Sequence, residues 1–125
     1  MSLEALLKTA DIVTVHTPLN SSTLGLINHK TLAIMKPNSI LINYARGGIV
    51  DQNAVMEALK QKTLGAAVFD VFEEEPPVNE NLIAHPRVFA SGHIGGSSFE
   101  AIRAMGLAAI DGLSEGCTSF NDASS

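Results

Sequence analysis

The chain has 125 residues, 46% hydrophobic, 17% charged and 5% aromatic, which excludes a disordered, collagenous or fibrous protein and leaves one globular core burying about two thirds of the unfolded surface. Thirteen acidic against eight basic side chains give a net charge of -5, so the electrostatic footprint of a nucleic-acid or anionic-membrane binder is missing. One cysteine (Cys117), no zinc-type Cys/His spacing, no secretory leader pattern and no apolar run near the about 18 residues that span a bilayer point to a cytoplasmic protein without a metal.

Leu3, Leu6, Leu7 and Ala10 recur at helical spacing behind Ser2, a candidate N-cap, and predict a helix over 2–10. Ile12 to His16 is a short β-branched run stopped by Pro18, read as a buried strand. Leu24, Ile27, Leu32 and Met35 form a broken stripe of one or two short helices ending before Pro37. Ser39 to Asn43 carries Ile40, Leu41 and Ile42 in a row, the pattern of a parallel strand covered on both faces. After Arg46-Gly47-Gly48, Asp51 caps a helix whose apolar face is Ala54, Val55, Ala58 and Leu59, ending near Lys62. Leu64 to Phe72 returns to strand, residues 73–81 form an acidic, proline-rich loop, Val88 to Ala90 is a minimal strand and Gly92 to Gly96 a glycine-rich turn.

Ser97 and Glu100 are spaced as a capping box for a last helix with Ile102, Met105, Ala109, Ile110 and Leu113 on one stripe. Residues 1–113 therefore read as one α/β domain and 114–125 as a flexible tail. Alternating strands and helices predict a parallel sheet of about four strands with right-handed crossovers and helices on both faces.

In open α/β sheets, ligands bind beyond the carboxyl ends of the strands. Here those ends carry His16-Thr17-Pro18, Asn43-Tyr44-Ala45-Arg46, Asp70 through Glu75, and Gly92-His93, so parallel, adjacent strands would gather an arginine, two acids and a histidine at one rim. Taken singly, these residues have plainer readings: Asp70 as a turn former, Glu73 and Glu74 as solvated charges, His16 as an interior histidine, His29 and His85 as surface or cap residues.

The segments INYARGGIVD (42–51), GAAVFDVFEEEP (65–76) and HIGGSSFEA (93–101), with HTPL at 16–19 and Met35-Lys36-Pro37, resemble the D-isomer-specific 2-hydroxyacid dehydrogenases, of the phosphoglycerate dehydrogenase kind, over residues 3–113. The resemblance implies the second half of a Rossmann-type, doubly wound NAD-binding domain and hydride exchange between a nicotinamide cofactor and a 2-keto or 2-hydroxy acid. It also implies His93 as acid/base, Glu75 as its carboxylate partner and Arg46 as substrate anchor. Those types suit the chemistry: a histidine titrates near neutrality, a carboxylate fixes its tautomer, and a guanidinium grips a carboxylate through two hydrogen bonds.

By the same resemblance Asp70 meets the nicotinamide carboxamide. The resemblance also implies that His16, Thr17, Pro18, Tyr44, Ala45, Arg46, His93, Gly95 and Gly96 line the cofactor. Gly92 departs from the pattern, since many relatives carry proline before the histidine. No G-x-G-x-x-G occurs and no acid that discriminates NAD from NADP is present. The expectation is a fragment of the cofactor domain, weak or inactive alone, whose first strand is an edge that a second copy covers in a homodimer. A non-catalytic nucleotide-binding or assembly module of the same fold is the alternative.

Overall fold

The structure, a computed structural model, describes the backbone of residues 1–121 and the side chains of residues 1–111. It divides into two units, Met1–His93 and Ile94–Ser125. In the first, α1 (Leu3–Thr9), β1 (Ile12–Val15), α2 (His29–Ala33), β2 (Ile40–Asn43), α3 (Gln52–Lys60), β3 (Ala66–Phe69), α4 (Glu80–Ile83) and β4 (Val88–Ala90) follow in order, with one 3₁₀ turn at Gly47–Ile49. The strands form one sheet in the order β1-β2-β3-β4, all parallel.

Local chemistry sets the helix starts. Ser2 Oγ accepts from Ala5 N at 3.2 Å, and Asp51 Oδ1 accepts from Asn53 N and Ala54 N at 3.0 Å, satisfying amides that have no intrahelical partner. At α2 the cap is Asn28, which forms a reciprocal capping box with Thr31. α4 begins inside the stretch read as loop, residues 73–81, and runs two residues past it. Parallel neighbours need a crossover, and Asn79 supplies its cap by accepting from Leu82 N at 3.1 Å.

Each strand advances the sheet in the same direction, so right-handed crossovers place α2, α3 and α4 on one side. Val13, Val15, Leu41, Ala67, Phe69 and Val88 face that side and join Leu7, Leu32, Val55, Leu59 and Leu82 in a single core. The alternate positions point away from it: Ile12 is 56% and Phe89 64% exposed, and Ile40, Ile42 and Val68 are half-buried. The parallel sheet with its helices is as expected, but within Met1–His93 helices cover one face, not both. An apolar run such as Ile40 to Ile42 shows that a strand can be buried, not that this unit supplies both covers.

The second unit contains α5 (Phe99–Asn121). Ser98, not Ser97, caps it, with Ser98 Oγ accepting from Ala101 N at 3.1 Å. The helix runs past residue 113 to Asn121, and residues 122–125 of the expected tail lie outside the described residues, as do the side chains of Leu113 and Cys117.

Candidate active site

The rim of the first unit is built where β2, β3 and β4 end. Asn43, fully buried at the last position of β2, clamps the turn that follows: its Oδ1 accepts from Ala45 N at 3.1 Å and its Nδ2 donates to the Arg46 carbonyl at 3.0 Å. Arg46, in turn, donates from Nη1 to the Ala45 carbonyl at 2.7 Å. The Asn43 carbonyl accepts from Asp70 N at 3.1 Å, so the sheet ladder carries the arginine turn and the Asp70 segment side by side.

Asp70 follows β3 and is 2% exposed. Ser91 Oγ donates to its Oδ1 at 2.6 Å. Past Asp70 the chain folds over Phe72, whose N–H donates to Glu75 Oε1 at 3.2 Å, and the second carboxylate oxygen, Oε2, lies 2.9 Å from His93 Nδ1. The His93 bond and the Phe72 amide hold the Glu75 carboxyl below its ordinary value of 4.5. Glu73 and Glu74 are exposed. His93 takes a left-handed backbone, φ 57°, next to Gly92.

Two cavities open at this rim. One of about 370 Å³ is lined by Asp70, Phe72, Glu75, Pro76, Ser91 and His93, among others, and is apolar with a few convergent polar groups. The other, about 590 Å³, is lined by His16, Thr17, Pro18, Leu19, Tyr44, Ala45 and Arg46. The structure thus brings Glu75 and His93 into contact beside Asp70, while Arg46 lines the cavity at the ends of β1 and β2. His16 is exposed and its Nε2 lies 2.7 Å from Thr14 Oγ1, so it is not an interior histidine. Gly95 and Gly96 fall in the second unit, and a Cβ at Gly96 would meet no atom within 4 Å.

Gly47 is not glycine for its backbone angles. A Cβ there would lie 2.0 Å from the carbonyl carbon and oxygen of Phe72 and 2.3 Å from Glu73 N, so the arginine turn and the acidic segment pass in backbone contact. Asn43, Gly47 and Ser91 are the residues that the sequence reading missed. A polar side chain inside an apolar strand was the available signal for Asn43, because a buried amide needs partners.

A parallel sheet with cavities at the carboxyl ends of its strands, one of them apolar and holding a histidine against a carboxylate, has the architecture of the doubly wound α/β class, which binds ligands at that edge. The family model for the D-isomer specific 2-hydroxyacid dehydrogenase NAD binding domain matches residues 1–95, and the chain belongs to that family. It is 50% identical over 100 residues to a D-3-phosphoglycerate dehydrogenase of Bacillus subtilis, covering 80% of this chain and 19% of that protein. Among solved structures it resembles the apo form of Rhodotorula graminis D-mandelate dehydrogenase (TM-score 0.78, 40% identity, 82% of this chain and 30% of that one). It also resembles a D-isomer specific 2-hydroxyacid dehydrogenase from Xanthobacter autotrophicus in complex with NADPH (TM-score 0.70, 39% identity, 74% and 38%). The chain spans from about a fifth to under two fifths of these proteins.

The residues fit the cofactor class. Cavities of this size, one apolar with a buried acid and the other mixed with a guanidinium and backbone groups, suit an aromatic amide ring and its sugar-phosphate arm. The family that the chain belongs to is described as an NAD binding domain. Among the described residues no helix is long and apolar enough to cross a membrane.

Proposed function

We propose that the chain forms the catalytic rim of an NAD-dependent oxidoreductase acting on the CH–OH group of a small D-2-hydroxy acid, of the phosphoglycerate dehydrogenase kind. The observation that carries this is the Glu75–His93 contact of 2.9 Å beside Asp70 in one apolar cavity. The nicotinamide cofactor, when bound, supplies or accepts the hydride at the substrate's C2. His93 gives a proton to the carbonyl oxygen in reduction and takes it back in oxidation. The Glu75 carboxylate accepts a hydrogen bond from Nδ1–H, which leaves Nε2 as the nitrogen that works on substrate, and its charge stabilises the imidazolium. Arg46 anchors the substrate carboxylate through paired N–H donors. Asp70 receives the carboxamide. His16, Thr17, Pro18, Tyr44, Ala45, Gly95 and Gly96 line the cofactor side.

Taken alone, the 125 residues turn over weakly or not at all, a reading supported by the small share of each relative that they span. A homodimer and a cytoplasmic location go with this reading, the second supported by the use of one cysteine in the whole chain.

The test is made on the natural full-length chain. NADH binding is followed by the cofactor's own fluorescence, and turnover is followed with a panel of small 2-keto acids. Replacing His93 by Ala is expected to lower kcat at least ~100-fold while NADH affinity stays within about twofold. Retained turnover removes His93 from the chemistry.

A further inference from the structure

We propose that Ser91 is a positioning residue that sets the Asp70 carboxylate for the cofactor's carboxamide. The inference rests on the reading of the site above and deepens it by one residue. Ser91 follows β4 directly, and its N–H donates to the Phe69 carbonyl at 2.9 Å, so the parallel pairing of β3 with β4 holds its backbone. From that fixed point its hydroxyl reaches the next residue of β3's path, donating to Asp70 Oδ1 at 2.6 Å. Main chain and side chain therefore grip consecutive residues, 69 and 70.

A carboxylate that is 2% exposed has lost most of its water, and a short O–H···O⁻ bond replaces part of what hydration gave. The same bond limits rotation of the carboxylate group. Ser91 also lines the cavity that holds Asp70 and His93, and it precedes His93 by only two positions. A substitution that kept the fold but lost the hydroxyl would remove one hydrogen bond that orients the Asp70 carboxylate.

The carboxamide N–H is the group a directed carboxylate reads, and 3-acetylpyridine adenine dinucleotide lacks it. Wild-type full-length protein is compared with Ser91→Ala and Ser91→Thr for affinity and kcat/KM with NAD and with this analogue. The expected result is a preference for NAD in the wild type that falls roughly tenfold in Ser91→Ala, the size of one hydrogen bond to a charged group. Ser91→Thr, which keeps the hydroxyl, retains the preference. A role in folding alone would lower both cofactors equally. Ser91→Cys, close in volume and a weak donor, reports the same loss should the alanine variant not fold. An unchanged preference in Ser91→Ala or Ser91→Cys, with wild-type discrimination intact, overturns this inference alone. A wild type that binds no NADH overturns the reading of the site and this inference with it.

Discussion

At the pair of Glu75 and His93 the physical effect is local and electrostatic. The carboxyl is held below 4.5 by His93 first and by the Phe72 amide second, so it stays ionised, and the pair stays made, across the neutral range. A lowered carboxyl pKa contributes above the ordinary value and is lost as pH falls through the lowered one. The contact should therefore open only below pH 4.5. A carboxyl-carbon NMR titration is expected to place the Glu75 midpoint under that value, and His93→Ala to move it up. A wild-type midpoint at or above 4.5 would show that the pair does not persist in solution. That Glu75, not Glu73 or Glu74, meets His93 was legible from its place before Pro76. Asn43 was not legible, because its two partners, Ala45 N and the Arg46 carbonyl, exist only once the turn has closed around it.

Between elements, the decisive contact is one of backbone with backbone. The turn after β2 and the segment after β3 pass so closely at Gly47 that no other residue fits without moving Phe72 and Glu73. Main chain on both sides has no flexible end to give way. Gly47→Ala is expected to cost about 3 kcal/mol in urea unfolding, the upper range for overpacking. The same shift displaces Glu75 from His93 and raises the Glu75 midpoint. A stability loss under about 0.5 kcal/mol, the usual limit for an inconsequential surface change, would mean that the two segments are not in contact. From sequence, Gly47 reads as a turn former; the close approach is to Phe72 and Glu73, 25 and 26 positions further on, which local patterning does not see. α4 was hidden for a different reason: four residues, Glu80–Ile83, show too little periodicity to register as a helix.

For the molecule as a whole, β1 stands at one edge of the sheet, and its first residue, Ile12, is exposed. An open edge is a template for another strand. The proposed homodimer is accordingly expected to persist at micromolar concentration in light scattering of the 125-residue chain, and Ile12→Lys, which places a charge on that edge, to yield monomer. A wild-type monomer across this range would rule the edge out as an interface.

The four strands, the helices other than α4 and the parallel sheet followed from sequence, because hydrophobic period, capping chemistry and motif spacing are local properties of the chain. Which face of the sheet the helices cover, the passage of Gly47 against Phe72, the clamp of Asn43 on the arginine turn and the grip of Ser91 on Asp70 were decided only in three dimensions. Each of these depends on where a distant segment comes to rest. That placement is set by the one-way advance of the crossovers and the pairing of strands, which no stretch of sequence carries by itself.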